Sequence, residues 1–384
     1  MKNSDIGPKC CIISYPQSLP FKFPLSNLID VISHICTKTT VIIGCYDNMG
    51  LSYPDNQDIS IHEIIINTAN NQNNLLFRIF RFLKFQIRLI RIFLHKIPDN
   101  DLVIFFMDWN PSIIIMVLLR ILKKKSIIML PASPILMQKF NPDPFSGISR
   151  KMIWVGYLLT DRIIVFSEHL IREWNLEKWR KKILIDTNHF VDFKELTITT
   201  PYNSRDTIVG YIGRFSKEKG SDNFIQAAYI LLKSHPDIKI YMGGSQDMNT
   251  KYAGCDEFKD TNCLEIDTWI PHDKLSVPLN KLKLLIIPSY TEGLPNIMLE
   301  AMACGTPVLA TPVGAIPDVI KDGVTGFFME DNTPDCIVSN IKRALQTPDL
   351  DIIAKNARDF IGKNYSFENA QERWNKIIPL ILSK

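Results

Sequence analysis

Long apolar runs are missing from this 384-residue sequence. Two apolar stretches, Leu102 to Met107 and Ile113 to Leu119, are separated by polar residues and a proline, and each is far shorter than the roughly 20 residues of a transmembrane helix. Residues 1–8 also lack the apolar core of a secretory signal. Both absences argue against a membrane-spanning or secreted protein, and we expect a cytoplasmic one.

Metal-binding and dinucleotide-binding spacings are missing as well. The eight cysteines and seven histidines show no zinc-type spacing, so we expect buried free thiols and structural or surface histidines. Two Asp-x-Asp pairs, Asp99 to Asp101 and Asp349 to Asp351, do not end a predicted strand, and we expect no metal site at either. The turn from Gly210 to Gly213 lacks the Gly-x-Gly-x-x-Gly pattern that a dinucleotide oxidoreductase requires.

The excess of charge is small, with a net charge of +4. A content of 46% hydrophobic and 22% charged residues is typical of a globular protein. A chain of this length exceeds the size at which one hydrophobic core keeps growing, which predicts two domains. Aromatic residues interleaved with cations on a sheet are not apparent, so we expect no nucleic-acid partner.

Short apolar strands alternate with amphipathic helices in both halves. In the first half the predicted strands are Cys10 to Ser14, Thr40 to Cys45, Leu102 to Phe106, Ser126 to Leu130, Arg162 to Phe166 and Lys182 to Asp186. In the second half they are Ile208 to Ile212, Ile238 to Met242, Cys263 to Ile266, Leu284 to Ile287, Pro307 to Ala310 and Gly326 to Phe328. Such alternation is typical of parallel sheets covered on both faces. We predict an α/β fold of two Rossmann-like halves with a cleft between them.

A polar stretch from Thr197 to Asp206 is typical of a linker between domains. It divides an N-terminal Rossmann-like domain, residues 1–200, from a C-terminal one, residues 201–365. The stretch from Ser366 to Ile381 predicts a final amphipathic helix within residues 366–384.

The most informative stretch contains two glutamates, Glu292 and Glu300. It follows the strand that ends at Ile287, turns through glycine and proline, and begins a helix near Pro295. The first amides of a helix are unpaired and lie at the positive end of its dipole, where a diphosphate binds. Glu300 lies more than one turn into the helix, better placed for a hydroxyl-rich group. The arrangement predicts a site for a nucleotide bound to a sugar.

A second phosphate-binding constellation runs from Val209 to Gly220. Arg214 leaves the tip of a strand with a planar guanidinium that suits phosphate oxygens, and Lys219 can approach the same anion. Both would lie at the carboxyl end of a parallel strand, where open α/β sheets bind ligands. Alone, this turn is equally typical of a solvated loop, but its combination with the Glu292 stretch favours a phosphate site.

Together these residues resemble the nucleotide-binding half of the retaining glycosyltransferases of family 4, also called glycosyl transferases group 1, which have the two-domain GT-B fold. The resemblance covers residues 207–345 and extends weakly to 160–174. Its motifs are Gly213-Arg214 with Lys219-Gly220, Tyr241-Met-Gly-Gly-Ser245, Pro288-Ser with Glu292-Gly-Leu-Pro-Asn and Glu300-Ala-Met-Ala-Cys-Gly-Thr-Pro-Val, Thr311-Pro-Val-Gly-Ala-Ile-Pro-Asp-Val-Ile and Asp322-Gly-Val-Thr-Gly-Phe-Phe. In proteins of this kind the final helix crosses back over the N-terminal domain.

The resemblance implies a role for each matching residue. Arg214 and Lys219 match the pair that neutralises the leaving diphosphate, and Glu300 matches the acid that binds the ribose hydroxyls. Glu292 matches the acid beside the donor sugar, close to the reacting face. The backbone that holds the sugar and phosphates corresponds to Gly213, Gly293, Leu294, Pro295, Asn296 and Ile297. Ile270, in Trp269-Ile-Pro271, falls where main-chain groups often hold the base.

The N-terminal half departs from the family. No histidine follows the strand Ser126 to Leu130, where family members often carry one, and Ser133 is a candidate replacement. Asp108 ends another strand and is the main N-terminal candidate for substrate binding, although a place near the start of a helix before Pro111 explains it equally well. His189 is a weaker candidate.

One N-terminal segment, residues 75–96, is basic and has no acid. Its cations recur at helical spacing over an arc of about 140°, with Phe, Ile and Leu filling the rest. The pattern fits a helix lying on an anionic membrane surface, and it equally fits a helix packed on the sheet with a solvated basic face. The first alternative would suit a lipid-linked acceptor and peripheral attachment to the inner face of the cell membrane.

The sequence therefore predicts a retaining, metal-independent glycosyltransferase, specifically a hexosyltransferase of glycan biosynthesis. Its co-substrate is a nucleoside-diphosphate sugar, its acceptor is a glycan or lipid-linked hydroxyl, and no cofactor is expected. An inactive sugar-nucleotide-binding relative and a GT-B sugar-nucleotide epimerase stay as alternatives, because fold alone does not decide the reaction.

Overall fold

The structure is a computed structural model, and it describes most of the 384-residue chain. The described residues are 7–17, 22–45, 58–65, 75–96, 99–106, 112–140, 142, 145–244, 263–267 and 270–383. They form two compact units. The first unit combines residues 1–190 with the C-terminal residues 367–384, and the second unit is formed by residues 191–366.

The first unit contains a seven-stranded sheet in the order β3-β2-β1-β4-β5-β6-β7. Its strands are β1 (Lys9–Gln17), β2 (Lys38–Cys45), β3 (Ile59–Ile65), β4 (Leu102–Phe106), β5 (Lys125–Met129), β6 (Arg162–Val165) and β7 (Ile183–Ile185). All neighbouring strands pair in parallel. Every residue of β4 is buried, because helices cover a parallel sheet on both faces.

Among the described residues, six helices connect these strands and a seventh follows the second unit. They are α1 (Lys22–Ser33), α2 (Leu75–Lys96), α3 (Ile113–Ile121), α4 (Pro134–Phe140), α5 (Ser146–Leu159), α6 (Glu168–Glu173) and α13 (Phe367–Leu382). Parallel crossovers are right-handed, so the direction of each connection decides which face of the sheet its helix covers. The connection through α1 runs towards the β3 edge of the sheet. The connections through α2, α3 and α5 run towards the β7 edge. The last three helices therefore share one face.

The second unit contains a six-stranded parallel sheet in the order β10-β9-β8-β11-β12-β13. Its strands are β8 (Ile208–Gly213), β9 (Lys239–Gly244), β10 (Leu264–Asp267), β11 (Leu284–Ile287), β12 (Val308–Ala310) and β13 (Phe327–Phe328). Its helices are α7 (Ser221–Ser234), α8 (Ser276–Lys281), α9 (Asn296–Ala303), α10 (Ile316–Val319), α11 (Pro334–Leu345) and α12 (Leu350–Asn364). The predicted α/β fold with two Rossmann-like parallel sheets is confirmed.

Of the thirteen strands in the part of the chain that the structure describes, twelve were predicted, with ends that differ by at most three residues. The missed strand, β3, carries His62 and Glu63 and lies at the edge of its sheet. Its residues are mostly half-buried, so it lacks the continuous apolar run by which the buried strands were recognised.

The polar stretch predicted as a linker, residues 197–206, lies within the second unit and is bonded to it. The side-chain oxygen of Asn280 accepts from the amide of Thr199 at 2.8 Å, and the amide group of Asn280 donates to the carbonyl of Thr197 at 2.9 Å. Tyr202 Oη donates to the carbonyl of Lys283 at 2.9 Å. The polar residues of this stretch are therefore side-chain and backbone partners of a folded surface.

The C-terminal helix α13 belongs to the first unit and coincides with the helix predicted from Ser366 to Ile381. Trp374 is fully buried, and its indole N–H donates to the carbonyl of Thr187 at 3.2 Å. The guanidinium of Arg373 lies 3.1 Å from the carboxylate of Asp186. A hydrogen bond and an ion pair thus join the helix to the residues that follow β7, and the helix also packs against α1.

Seven cysteines fall in the described part of the chain, and all seven are free thiols. Five of them are buried, as predicted, whereas Cys263 and Cys336 are half-buried. Cys255 lies outside the described residues. No helix among the described residues has the length and apolar character that a membrane span requires.

Candidate functional site

The site lies where two neighbouring strands of the second sheet end. Strands β8 and β11 are adjacent. From β8 the chain adds β9 and β10 on one side, and from β11 it adds β12 and β13 on the other side. In open α/β sheets ligands bind at such a switch point, beyond the carboxyl ends of the strands. The β8 to α7 turn carries Arg214 and Lys219, and the loop after β11 carries Glu292. Topology thus brings together the two constellations that were predicted separately.

Gly220 sets the distance between these two segments. Its φ is +66°, in the left-handed region that favours glycine. A Cβ built on it would lie only 2.0 Å from the carbonyl oxygen of Pro288. The turn and the loop therefore pass at a separation that no side chain at this position would allow.

Lys219 and Glu292 form the central ion pair of the site. The ammonium of Lys219 donates to both carboxylate oxygens of Glu292 at 2.7 Å. Ser289 Oγ donates to the same carboxylate at 2.7 Å. Glu292 is 7% exposed, so these bonds replace the hydration that its charge loses on burial. Lysine has three N–H donors, and the two bonds to Glu292 use two of them.

Arg214 follows β8 and is held by its own turn. Its Nη2 lies 3.3 Å from Oε1 of the buried Glu218, and its carbonyl accepts a bond from Tyr211 Oη at 2.5 Å. The carbonyl of Glu218 accepts from the amide of Tyr290, which adds a second bond between the turn and the loop after β11. The Arg214 side chain is 38% exposed, so its guanidinium is both positioned and accessible.

A third segment supports the loop that contains Gly293. The amide of Ala315 donates to the carbonyl of Gly293 at 2.8 Å. Gly314 has a φ of +65°, and a Cβ there would lie 2.4 Å from the carbonyl oxygen of Glu292. Leu294, the next residue of the loop after Gly293, is buried. The backbone predicted to hold sugar and phosphates is therefore supported by close contact with residues 314–315.

Helix α9 begins at Asn296, with Pro295 at the N-cap position, close to the predicted start. The side chain of Pro295 makes no capping hydrogen bond. At the opposite end, Arg205 Nη2 donates to the carbonyl of Cys304 at 2.8 Å, and Arg358 bonds the carbonyl of Ala303. The negative end of the helix dipole is thus satisfied by two cations, while the amides of Asn296 and its successor at the positive end suit an anion.

Glu300 lies on α9 and pairs with a histidine. Its Oε1 is 2.8 Å from Nε2 of His272, and the glutamate is only 4% exposed. Burial by itself lowers the pKa of His272, but the hydrogen bond to Glu300 and the negative charge of Glu300 outweigh it, so the pKa of His272 is raised. Sequence analysis missed this partner, because 28 residues separate the two and histidine spacing alone carries no signal.

Ile270 lies beside the end of β9. A Cβ built on Gly243 would lie 2.5 Å from Cδ1 of Ile270, so the glycine allows the segment after residue 269 to approach the strand closely. Gly213 ends β8, and a Cβ there would lie 3.3 Å from Tyr211 Oη. Trp269 lies outside the described residues.

The candidate residues of the first unit are Asp108, Ser133 and His189, and the described residues do not place them in a common site. Asp108 lies outside the residues that the structure describes. Ser133 is buried, and its Oγ accepts a bond from the amide of Leu136 at 3.2 Å, which caps α4. His189 is buried with its ring against Phe166, at a centroid distance of 4.8 Å. Both have packing roles that explain their positions.

Arg205 and Cys304 add two facts about the surroundings of α9. Arg205 is a buried residue that sequence analysis placed in a linker, and its Nη1 also donates to Thr306 Oγ1 at 2.7 Å. Burial raises the pKa of Cys304 to about 12, so this thiol is unsuited to act as a nucleophile. Among the described residues, no group of three or more His, Cys, Asp or Glu side chains could hold a metal ion.

Comparison with known proteins shows what the second unit is similar to. Residues 192–363 match the family model described as glycosyl transferases group 1. The predicted resemblance to glycosyl transferases group 1 is therefore confirmed for this part of the chain.

Curated relatives match over the same region. The chain is 32% identical over 133 residues to a D-inositol 3-phosphate glycosyltransferase of Paenarthrobacter aurescens, which covers 32% of each protein. It is 29% identical over 181 residues to the lipopolysaccharide 1,2-N-acetylglucosaminetransferase of Salmonella typhimurium, covering 44% of this chain and 47% of that protein. The chain thus spans between about a third and a half of the length of these relatives.

Solved structures match over nearly the whole chain. Sucrose-phosphate synthase from Thermosynechococcus elongatus has a TM-score of 0.76 at 16% identity, covering 97% of this chain and 99% of that one. Anabaena HepE in complex with UDP has a TM-score of 0.71 at 15% identity, covering 96% and 99%. At these identities the likeness shows the fold, which is the GT-B fold of such glycosyltransferases.

Proposed function

We propose that this protein is a retaining, metal-independent glycosyltransferase that moves a hexose from a nucleoside-diphosphate sugar to a hydroxyl acceptor. The observation that carries the proposal is the Lys219 to Glu292 ion pair, which joins the β8 to α7 turn to the loop before α9. This pair sets a cation and a buried acid side by side at the switch point of the sheet.

The leaving diphosphate is bound by donors from both segments. Lys219 keeps one N–H beyond the two that Glu292 accepts, and Arg214, whose Nη2 lies 3.3 Å from Glu218, adds a partly exposed guanidinium with the planar geometry that suits phosphate oxygens. The first amides of α9 add neutral donors at the positive end of a dipole. As the glycosidic bond breaks, negative charge develops on the phosphate, and preorganised donors stabilise it most.

Glu292 is assigned to the donor sugar. Its position is set by Lys219 and Ser289, whose bonds hold the carboxylate in one orientation beside the loop that begins at Gly293. A fixed acid here can accept bonds from sugar hydroxyls and lies close to the positive charge that develops on the anomeric carbon. Lys219 thereby serves two groups, the sugar-binding acid and the diphosphate.

Glu300 is assigned to the ribose. Its Oε1 is shared with His272, which leaves further lone pairs of the carboxylate for two vicinal hydroxyls. His272 is a positioning residue in this scheme, since it holds Glu300 through the hydrogen bond and does not itself meet the sugar. The main chain at Ile270 is assigned to the base.

Relatives and structural neighbours support a nucleotide-sugar donor. Anabaena HepE was crystallised with UDP and with UDP-glucose, and the two curated relatives described above are named as glycosyltransferases. We extend that donor class to this chain. A lipid-linked or glycan acceptor at an anionic membrane surface completes the proposal, with α2 as one point of attachment.

In α2 a narrow stripe of Phe85, Leu89 and Phe93 is buried against the sheet. Other apolar side chains of the helix stay exposed beside cations: Leu83, Ile87 and Leu94 are exposed, as are Lys84, Arg88 and Arg91. A helix that only packed on the sheet would bury most of its apolar residues. The exposed remainder therefore favours contact with a lipid interface.

The donor proposal is tested by thermal unfolding with UDP-, GDP- and ADP-sugars. A ligand at about 100 times its dissociation constant adds about 2.7 kcal/mol to the free energy of unfolding, which raises the melting temperature measurably. Arg214→Ala should remove this shift and lower turnover by roughly 100- to 1000-fold, because one transition-state donor is lost. Glu292→Ala should abolish transfer, and Glu300→Ala should chiefly weaken nucleotide binding.

Two controls separate the alternatives. Lys239→Ala removes an exposed cation that pairs with Asp206 and should leave both readouts unchanged. Transfer measured with EDTA tests metal independence, and the anomeric configuration of the product tests retention. A nucleotide-induced shift without transfer to any acceptor would point to an inactive relative, and conversion of the donor sugar to its epimer would point to an epimerase. Wild-type turnover in both Arg214→Ala and Glu292→Ala would refute the site.

A further inference from the structure

Two neighbouring helices of the first unit expose an unusual amount of apolar surface. Helices α3 and α5 bury one side each, Ile115, Met116 and Leu119 on α3 and Ile153, Gly156 and Tyr157 on α5. On their outer sides six apolar residues are 40 to 69% exposed: Ile114, Val117, Ile121, Ile148, Val155 and Leu158. We call these six residues the α3/α5 apolar face. Contiguous exposed apolar surface of this kind usually marks an interaction site.

The spacing shows that the face is a feature of both helices. On α3 the exposed residues recur at i, i+3 and i+7, and on α5 at i, i+7 and i+10, so each set forms one stripe opposite the buried side of its helix. The helices pack against each other. Helix α3 is apolar on both sides, which is the pattern of a buried helix, yet the outer stripe is solvent-exposed.

Cations outnumber acids around the face, although Arg120 also lies 3.8 Å from the carboxylate of Asp161. Between Ser112 and Thr160 the chain contains one acid, Asp143. Seven cations lie in the same stretch: Arg120, Lys123, Lys124, Lys125, Lys139, Arg150 and Lys151. Five of these are exposed: Arg120, Lys123, Lys139, Arg150 and Lys151. A basic rim around an apolar face complements a surface that is negative at its boundary and apolar beneath it, and it opposes pairing with a second copy of itself.

Aromatic residues lie beside α5. Trp154 is 43% exposed and packs edge to face against Trp179, with a centroid distance of 6.2 Å. The ammonium of Lys178 lies 5.0 Å from the centroid of Trp154. Tryptophan next to lysine is typical of the boundary between headgroups and acyl chains, because the indole has an apolar body and a polar N–H.

The helices are too short to enter a bilayer end-on. Helix α3 has 9 residues and α5 has 14, against the roughly 20 that a span needs. Lying flat, however, such helices can place their outer side chains among the acyl chains while lysines contact the headgroups. Because α2, α3 and α5 share one face of the sheet, the same orientation turns the exposed side of α2 towards the lipid.

We propose that the α3/α5 apolar face docks the first unit on the interface of an anionic membrane. Ile114, Ile121 and Leu158 enter the apolar boundary, Trp154 lies at the headgroup level, and the surrounding cations contact lipid phosphates. The proposal rests on the membrane contact in the proposed function and deepens it by adding α3 and α5 to α2. It uses only residues of the first unit and none of the nucleotide site.

The test is sedimentation of the full chain with lipid vesicles in the absence of any nucleotide. Vesicles of phosphatidylcholine alone are compared with vesicles of equal parts phosphatidylcholine and phosphatidylglycerol. The variant Ile114→Ser/Ile121→Ser/Leu158→Ser should lower partitioning onto the anionic vesicles by roughly 100-fold, since three partly inserted apolar side chains are lost. The matched control is Val277→Ser/Val324→Ser/Ile352→Ser, which changes equally exposed apolar residues of the second unit.

A second variant, Lys123→Gln/Arg150→Gln/Lys151→Gln, keeps the apolar face and removes charge from the rim. Its partitioning should fall by roughly fivefold for each cation and should depend less steeply on salt. Circular dichroism and the thermal shift with sugar nucleotides report whether each variant is folded.

Equal binding of the apolar variant and the wild type would overturn the proposal. It would also fail if the wild type formed dimers without lipid, measured by analytical ultracentrifugation, and the apolar variant did not, because the face would then join two copies. Loss of anionic-vesicle binding in both face variants with retention in the control would establish the docking surface, whether or not the transfer reaction is found.

Discussion

Lys219 and Glu292 are 73 residues apart in the chain, yet the ammonium of one lies 2.7 Å from both carboxylate oxygens of the other. The pair joins the turn after β8 to the loop after β11, so it couples the group assigned to the diphosphate with the group assigned to the sugar. Gly220, the next residue, lets the two segments meet. The relationship makes the site a single constellation.

Removing one partner of this pair should destabilise the second unit. Lys219→Met leaves the buried carboxylate of Glu292 with the hydroxyl of Ser289 as its remaining side-chain donor among the described residues. The variant should lower the free energy of unfolding by about 1.5 to 3 kcal/mol. The double variant Lys219→Met/Glu292→Leu should cost less than the sum of the single variants, because their effects are coupled. Urea unfolding measures all three. Lys239→Met, at the exposed pair with Asp206, should cost below about 1 kcal/mol. If the stability losses of the two single variants added up to the loss of the double variant, Lys219 and Glu292 would not be energetically coupled.

Gly220 should tolerate no side chain. Gly220→Ala places a Cβ 2.0 Å from the carbonyl oxygen of Pro288, in addition to the strain of a φ of +66°. The matched control is Gly323→Ala, where φ is +70° and the Cβ would meet nothing within 4 Å. The control should lose about 1 to 2 kcal/mol through strain alone. Gly220→Ala should lose more and should also weaken the thermal shift by sugar nucleotides, since the loop must move. Equal losses in the two variants would show that the close approach has no energetic weight.

The pairing of His272 with Glu300 should make stability depend on pH. The pKa of His272 is raised above its ordinary value of 6.5 in the folded protein, so its contribution to stability is complete below that value and is lost as pH rises through the raised pKa. The melting temperature of the wild type should therefore fall as pH rises from 6.5 through the raised pKa. The fall is measured relative to His272→Gln, which lacks this titrating group. Nucleotide binding should weaken over the same window if Glu300 holds the ribose. Parallel pH curves for the two proteins would refute the coupling.

Helix α2 should contribute charge to membrane binding. Replacing Arg81, Arg88 and Arg91 by Gln should weaken binding to anionic vesicles, measured by sedimentation. The loss of binding free energy should be about 3 kcal/mol in total, at about 1 kcal/mol for each cation near the surface. The control replaces Lys233, Lys355 and Lys363, three exposed lysines of the second unit. If the α2 variant binds as the wild type does, the helix only packs on the sheet.

The two sheets could be predicted because buried parallel strands are continuous apolar runs, such as Leu284 to Ile287, which the structure reproduces as β11. The edge strand β3 could not, because half-buried residues such as His62 give no such run. The start of α9 near Pro295 was readable from turn residues. The contacts of His272 and Arg205 could not be predicted from the sequence. Their partners Glu300 and Thr306 lie 28 and 101 residues further along the chain.

The sequence by itself determined the elements and the residue types of the site, because strand periodicity, glycine turns and the Glu292 to Glu300 spacing are local properties of the chain. Only the tertiary structure decided which charges are paired, that Lys219 holds Glu292 and His272 holds Glu300, because these contacts span 73 and 28 residues. It also decided that the outer side of α3 is exposed, since an apolar helix sequence does not state which of its sides meets the sheet and which meets its surroundings.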